Sequence, residues 1–501
     1  MTATLRSAVR SRGLVAAFML VSPCSATVQA QQPAQVATAP SRLPTMMAQL
    51  QADPAQPETC PAAASHSIVD GITWYQRPSA AGRQSAEQNE YIVAARRIGA
   101  WLQSLETDAA LVPDDALRPG ASASLGEGAA GVALFLNELY LATRDPEDAR
   151  VAAHAADRLI DLLPEAMVHD GFPPRTSLYL GAPGLATTLL RLHATTGDGR
   201  HLAAVREVAA WLLAEAGPEG HAGWTEFNDI LFGDAGTALF LLDVAQAMDD
   251  DAALARAVAV GRSLIDRARR EHGGLYWVLR ESADSNLPNF SHGAAGVGYL
   301  LARLYEETRD TAFIEAAVGA ATYLEAIARI DDKGGLAVPY GFGQPEWRDR
   351  YELGWGHGVS GTARFYEQLA RVTGGAQWRE RVEAAARAVH AADLPGAYSL
   401  DRRFGLAGIA DFELDLAGRD AMSEDLAPAR ALADLILARA TRTGTGLYWN
   451  QPRPVFMTDP GAPGALSGFL HGAAGVGLFL LRLDAALRGR PWTLRLPDTP
   501  W

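Results

Sequence analysis

The chain has 501 residues, of which 48% are hydrophobic and 20% are charged, and its formal net charge is −14. The hydrophobic and charged fractions are typical of a globular protein. An acidic chain without a basic stripe is a poor partner for nucleic acid, so that class of function is excluded.

The first 30 residues predict a secretory signal peptide. Three arginines precede the apolar run 14–21, and a short segment after it ends in Val-Gln-Ala at Ala30. A basic start, a short apolar core and small residues at the cleavage site are the parts of such a signal, so we expect cleavage after Ala30 and export. The run is too short for a permanent transmembrane helix, and no later segment is a candidate. Cys24 leaves a lipoprotein open as an alternative, although Pro23 suits it poorly.

Residues 31–75 are rich in Ala, Pro and Gln, a composition typical of a flexible leader. Cys60 is the only cysteine that remains after cleavage, so an intramolecular disulfide and a thiolate-rich metal site are both excluded for the mature chain. We assign residues 76–490 to one folded domain and residues 491–501 to a C-terminal tail.

Seven Gly-x-x-Gly motifs divide the domain, and their first glycines are 47 to 67 residues apart. Each motif begins an apolar segment that predicts a helix buried on most of its sides. Self-similarity on this scale indicates one supersecondary unit that is stacked many times. The motifs lie at 128–131, 181–184, 233–236, 293–296, 358–361, 405–408 and 472–475.

Seven amphipathic segments alternate with the apolar ones. Their single apolar stripe predicts helices that are covered on one side only. These segments lie at 87–105, 146–163, 201–215, 252–269, 311–329, 376–391 and 425–439.

Alternating apolar and amphipathic helices predict an all-α fold of seven helical hairpins. We expect a closed double ring, an (α/α)7 toroid with the apolar helices inside, and an open superhelix of helix pairs is the competing arrangement. Glycine favours the ring because it lets the N-termini of the inner helices crowd together. Their free N–H groups and positive dipole ends then converge on one depression, the central pit, which suits anions and developing negative charge.

Polar residues at or just before the motifs are the candidates for the central pit. For catalysis they are Asp229 and His292 and, after these, His357, Arg403 and Glu127, and for binding a substrate His471. Three of them are histidines that directly precede a motif, and neutral histidine is a common zinc ligand. Their positions on repeats four, five and seven do not imply convergence on one ion.

Aromatic turns precede several of the motifs. Trp224, Trp277, Trp355 and Trp449 recur at comparable places. They are candidates for the wall of the pit, as a groove for sugar rings or for peptide. The alternative is that they pack the loops over the mouth of the barrel.

Four motifs have informative residues around their glycines. They read Asp-Ile-Leu-Phe-Gly at 229–233, Ser-His-Gly-Ala-Ala-Gly at 291–296, Trp-Gly-His-Gly at 355–358 and Leu-His-Gly-Ala-Ala-Gly at 470–475. With the sevenfold glycine motif, this pattern resembles the lanthionine synthetase C-like family over about residues 85–490. The resemblance implies an (α/α)7 toroid. For the best-known members it implies zinc-dependent addition of a peptide cysteine thiolate to dehydroalanine or dehydrobutyrine.

The resemblance also implies roles for two residues. Asp229 matches an aspartate that is linked to acid/base work, and His292 matches a histidine that protonates the enolate formed by thiolate attack. A developing enolate needs positive dipoles and a nearby proton donor, which this pit would supply.

The zinc site of the family is not carried over. Its ligands are a cysteine in the fifth motif and a Cys-His pair in the sixth, and this chain has Gly356, Arg403 and Phe404 at those positions. We therefore expect no zinc and no other cofactor. Without a metal to lower the pKa of a thiol, Arg403 is the candidate for the positive charge beside a substrate thiolate.

Three functions remain open. The first is peptide modification by thiol addition, zinc-independent or degenerate, in a divergent exported member of the resembled family. The second is a secreted carbohydrate-active enzyme with the architecture of six-hairpin glycosidases, for which two carboxylates must lie about 5–10 Å apart in the pit. The third is a non-catalytic toroid that binds peptide or glycan. The candidate carboxylates for the second are Glu127, Glu226, Asp229 and Asp234.

Overall fold

The computed structural model describes residues 90–107, 121–215, 217, 220–394, 398–419, 425–454 and 461–500. The signal peptide expected at 1–30 with its cleavage after Ala30, the leader expected at 31–75, and Cys60 all lie outside these residues.

Seven inner helices are buried on nearly every side in the described part of the chain. Each begins at the residue that follows the first glycine of a motif, so the glycine sits at the N-terminus, where a helix leaves its first N–H groups without intrahelical partners. They are α2 (Ala129–Thr143), α4 (Ala182–Thr196), α6 (Asp234–Met248), α8 (Ala294–Thr308), α10 (Val359–Thr373), α12 (Leu406–Arg419) and α14 (Ala473–Leu487).

Seven outer helices bury one apolar stripe each against this inner ring. Four of them begin after an aspartate whose carboxylate accepts a backbone N–H of the first turn, which is the usual way to cap a helix: Asp145, Asp198, Asp250 and Asp310. The outer helices are α1 (Glu90–Ser104), α3 (Pro146–Val168), α5 (Gly199–Ala214), α7 (Asp251–Asp266), α9 (Thr311–Ile327), α11 (Ala376–Ala391) and α13 (Ala427–Ala438).

The ring is closed. The inner helices pack against one another in chain order, α14 returns to pack against α2, and α1 packs against α14, so the two ends of the domain form one helix pair. The backbone N–H of Leu470 also donates a 2.7 Å hydrogen bond to the carbonyl of Gly126, which joins the last repeat to the first. The (α/α)7 toroid is therefore confirmed, and the open superhelix is wrong.

Gly131 shows why the motifs need glycine. A Cβ at this position would lie 2.4 Å from the carbonyl oxygen of Leu125 and 2.8 Å from the backbone nitrogen of Phe469. Both are backbone atoms of the loops that wrap the helix N-termini. The side chain is therefore excluded by close approach of two neighbouring repeats.

The structure adds short strands to the helices that the sequence predicts. The first hairpin forms because His272 and Gly273 both have a positive φ, 52° and 78°, which suits a two-residue turn between twisted strands. The four antiparallel pairs are β1 (Arg269–Glu271) with β2 (Gly274–Tyr276), β3 (Arg329–Ile330) with β4 (Leu336–Ala337), β5 (Thr441–Arg442) with β6 (Leu447–Tyr448) and β7 (Asn450–Pro452) with β8 (Pro463–Ala465). None of the helices that the structure describes is long and apolar enough to cross a membrane.

The C-terminal segment 491–500 packs inside the toroid, although its sequence suggests a separate tail. Arg191 donates a 2.9 Å hydrogen bond to the hydroxyl of Thr493, and Arg364 lies 3.2 Å from the carboxylate of Asp498. Asp498 is only 1% exposed. The segment therefore fills space between the inner helices rather than extending from the domain.

Candidate functional site

The seven residues that directly precede the first glycines, here called the pit residues, are brought together at the N-termini of the inner helices. They are Glu127, Leu180, Phe232, His292, His357, Phe404 and His471. The residues two positions before the first glycines form backbone hydrogen bonds that connect neighbouring repeats. The N–H of Gly356, for example, donates to the carbonyl of Arg403 at 2.8 Å.

Five of the pit residues form a continuous aromatic arc. The ring centroids are 5.2 Å apart from Phe232 to His292, 5.0 Å from His292 to His357, 5.8 Å from His357 to Phe404 and 5.5 Å from Phe404 to His471. The three histidines singled out in the sequence therefore lie in one surface, with aromatic rings between and beside them.

Asp229, His292 and Arg403 form a hydrogen-bonded chain at this arc. The carboxylate of Asp229 contacts Nδ1 of His292, and Nη2 of Arg403 lies 2.9 Å from Nε2 of the same ring. The other oxygen of Asp229 accepts the backbone N–H of Phe232 at 2.8 Å. The side chains of these three residues are all buried, and they come from repeats three, four and six.

The hydrogen bonds define the resting protonation of this chain of residues. A guanidinium only donates, so Nε2 of His292 accepts from Arg403, and Nδ1 then carries the hydrogen donated to Asp229. Burial raises the pKa of Asp229 to about 8, against the N–H of Phe232 and the charge of Arg403, which lower it. The carboxyl group of Asp229 therefore holds a proton near neutral pH. A proton cannot reside on Nε2 of His292 while Arg403 donates a hydrogen bond to it.

His357 lies in the same arc but is held neutral. Its ring stacks on Tyr340 at 4.3 Å, and burial lowers its pKa well below the usual value, helped by the charges of His292 and Arg403. Among the residues that the structure describes, Nδ1 of His357 has no hydrogen-bond partner. Tyr340 was not singled out in the sequence, because no motif marks it.

His471 is next to a carboxylate that the sequence reasoning missed. Its Nδ1 lies 3.9 Å from the carboxylate of Asp401, and Glu127 is close enough to act on its charge. Burial lowers the pKa of His471, while Asp401 and Glu127 raise it. A signal for Asp401 was present, since it lies four residues before its glycine just as Asp229 does.

The three positions that correspond to zinc ligands in the resembled family are adjacent here. Phe404 follows Arg403 in the chain, and a Cβ on Gly356 would lie 3.1 Å from Cγ of Arg403. Within the described residues, no group of three or more His, Cys, Asp or Glu side chains is arranged to hold a metal ion. The side chain of Arg403 therefore runs directly beside Gly356.

The four tryptophans are buried, and the indole N–H of each is used inside the fold. The indole N–H of Trp224, Trp277 and Trp449 donates to a carbonyl near the C-terminus of the preceding outer helix, at 2.9, 2.7 and 2.9 Å. These three thus attach the aromatic turns to the outer ring. Trp355 donates at 3.0 Å to the carboxylate of Asp498.

Two of the candidate carboxylates are held by arginines. Asp234 pairs with Arg267 at 2.8 Å and accepts the backbone N–H of Trp224, so it fastens a loop. Glu226 lies 3.6 Å from Arg280 near the surface. Neither contacts the chain of Asp229, His292 and Arg403 in the described structure.

The sequence of this toroid matches a known family. The family model described as lanthionine synthetase C-like protein matches residues 120–493, about three quarters of the chain. The chain belongs to this family. Among curated proteins, none matches the chain in sequence.

Solved structures of other proteins are similar to this chain. Nisin cyclase is similar with a TM-score of 0.53 and 16% identity, covering 77% of this chain and 92% of its own. A GH76 alpha-mannanase from Bacteroides thetaiotaomicron is similar with a TM-score of 0.46 and 12% identity, covering 80% of this chain and 97% of its own. At these identities the likeness to nisin cyclase describes the fold and transfers no activity.

Proposed function

We propose that this lanthionine synthetase C-like protein adds a cysteine thiol to a dehydroamino acid in a peptide, without zinc, and that the protein is exported. The observation that carries the proposal is the chain Asp229–His292–Arg403, because it combines a proton store, an imidazole and a fixed cation. Membership of the family supports the same reaction type.

The residues at the family's ligand positions do not suit zinc, which binds thiolate, imidazole and carboxylate. Gly356 has no side chain, Phe404 is apolar and the guanidinium of Arg403 is a cation that only donates hydrogen bonds. A positive charge nevertheless remains in this place. It would stabilise a substrate thiolate by charge and hydrogen bonding instead of by coordination.

In the reaction, the thiolate sulfur attacks Cβ of the dehydroamino acid, and the π electrons move to the carbonyl as an enolate. Nε2 of His292, which takes a proton from water once Arg403 has released it, then protonates Cα, so that a C–S bond and a C–H bond form while the π bond and the N–H bond break. Since Arg403 and a proton compete for Nε2, the approach of an anion to Arg403 frees His292 for protonation. Binding of the thiolate and protonation of His292 are therefore linked.

The test is a linear peptide with one dehydroalanine and one cysteine three residues apart. Cyclisation leaves the mass unchanged and removes the free thiol, so loss of iodoacetamide labelling reports it. Arg403→Met should slow cyclisation by about 10²-fold, as loss of a donor to a developing anion does, and Arg403→Lys should be intermediate. Unchanged cyclisation by Arg403→Met would contradict the role of the guanidinium.

Metal removal provides the matching control. Dialysis against a chelator should leave the cyclisation rate unchanged, and the purified protein should contain substoichiometric zinc. Stoichiometric zinc, or activity that returns only with zinc, would contradict the zinc-free proposal. A protein that binds the peptide without consuming its thiol would instead support the binding toroid.

A further inference from the structure

Two Asp–His pairs of the central pit are related by the repeat. Asp229 and Asp401 each lie four residues before a first glycine, and each accepts the backbone N–H of the phenylalanine three residues later, at 2.8 and 2.7 Å. Each carboxylate also faces the pit histidine of the next repeat on its Nδ1 side, His292 and His471 respectively. The reaction described above uses only the first pair.

The repeat does not by itself require such a pair, as His357 shows. The residue that corresponds to the two aspartates is Asn289, whose amide donates to the carbonyl of Pro339 at 2.8 Å and accepts from Thr362 at 3.0 Å. The side chain of Asn289 is thus used for packing. A histidine can therefore occupy this place without a carboxylate, so the second aspartate is not explained by the packing of the arc.

The two pairs differ in their charge. Asp229 has a pKa of about 8 because it is buried. Burial acts to raise the pKa of Asp401 too, but the interaction with His471 and the N–H of Phe404 outweigh it and hold that pKa below its usual value. Burial lowers the pKa of His471 although Asp401 acts to raise it, which favours a neutral, basic imidazole beside Asp401. Two titratable pairs whose surroundings differ in this way suit opposite roles in proton transfer.

We propose that His471, oriented by Asp401, is the general base that removes the proton from the attacking thiol. This inference rests on the proposed thiol addition. It assigns to His471 the deprotonation of the thiol, which a bound zinc ion would otherwise promote. Nδ1 of His471 is the ring nitrogen that faces Asp401, 3.9 Å from its carboxylate, which favours the hydrogen on Nδ1 and leaves Nε2 as the basic nitrogen. It takes the S–H proton to give the thiolate, whose electron pair then forms the C–S bond, and His292 later gives a proton to Cα.

The proton balance closes after the reaction. His471 ends with one proton more and His292 with one fewer, and exchange with water restores both. Arg403 lies between these roles, because its charge acts on His471 and its guanidinium bonds to His292. A thiol beside Arg403 would therefore meet a base before attack and an acid after it.

A pH profile distinguishes a base from a structural residue. The probe is a peptide with one dehydroalanine, with N-acetylcysteine methyl ester as the thiol. At pH 6.5 His471→Gln should be slower by about 10²-fold or more, the usual contribution of a general base. The loss should shrink steeply toward pH 9, because a thiol with a pKa of about 8.5 then ionises by itself. His292→Gln should not be rescued in this way.

Two further variants complete the experiment. Asp401→Asn should show the same rescue by pH with a smaller initial loss, which guards against a failure of His471→Gln to fold. His390→Gln is the matched control, because His390 also pairs with a carboxylate, Glu413 at 3.0 Å, but lies on outer helix α11, and its rate should be unchanged. A loss in His471→Gln that is equal at every pH contradicts the inference alone. Wild-type protein that adds no thiol contradicts the proposed function as well.

Discussion

At the residue scale, Arg403 changes what the pit can do. Its guanidinium contacts the ring of His292, a residue 111 positions away in the chain. Because Nη2 of Arg403 lies 2.9 Å from Nε2 of His292, a proton can reside on that nitrogen only when this contact is broken. In the proposed reaction this cation acts in place of a metal and also controls the protonation of its neighbour.

The raised pKa of Asp229 predicts a pH dependence of stability. A folded-state pKa of about 8, against about 3.9 in the unfolded chain, means that the folded protein holds a proton that the unfolded chain releases. This contribution favours folding at low pH and is lost as pH rises toward 8. The free energy of unfolding of wild type relative to Asp229→Asn should therefore fall between pH 5 and pH 8.

Urea denaturation at several pH values measures this difference. Asp284→Asn is the control, because the side chain of Asp284 is 94% exposed, and its difference from wild type should stay constant over the same range. A difference for Asp229→Asn that rises with pH would show that the buried group is an ionised aspartate.

At the element scale, the N-termini of the inner helices depend on close backbone contact. Gly131→Ala should lower the free energy of unfolding by about 1–3 kcal/mol, since the new Cβ would overlap the backbone of Leu125 and Phe469. Gly199→Ala is the matched variant at the start of outer helix α5, where nothing lies within 4 Å of the Cβ position. It should be neutral or stabilising, by up to about 1 kcal/mol. Equal losses for both variants, by urea denaturation, would contradict this account.

Much of the element scale could be predicted from the sequence. The motifs and the apolar periodicity located both layers of helices because these signals are local. Trp224 and the related tryptophans could not be assigned, since the same residue type suits a pit wall or a loop anchor. The carbonyls that accept their N–H groups lie in outer helices, and only the packed structure shows that contact.

At the scale of the whole molecule, the C-terminal segment is part of the toroid core. Asp498→Ala would leave Arg364 without its 3.2 Å partner and the indole N–H of Trp355 without an acceptor. Removing one member of a buried ion pair typically costs about 3–5 kcal/mol, although Asp411 and Asp415 lie close enough to Arg364 to reduce the loss. We expect a loss of about 3 kcal/mol.

Thermal denaturation measures this prediction. Asp349→Ala is the control, because Asp349 forms an exposed pair with Arg329 at 3.7 Å, and such pairs contribute about 0–1 kcal/mol. A melting temperature of Asp498→Ala that equals that of the control would show that the segment is only loosely attached.

The sequence by itself determined the number of repeats, the order of inner and outer helices and the candidates at the helix N-termini. Each of these is encoded within one repeat, by glycine and by the spacing of apolar residues. The tertiary structure alone decided that His292 pairs with Asp229, that His471 faces Asp401, and that α1 closes the ring against α14. Those partners come from different repeats, and only the packing of the repeats against one another brings them into contact.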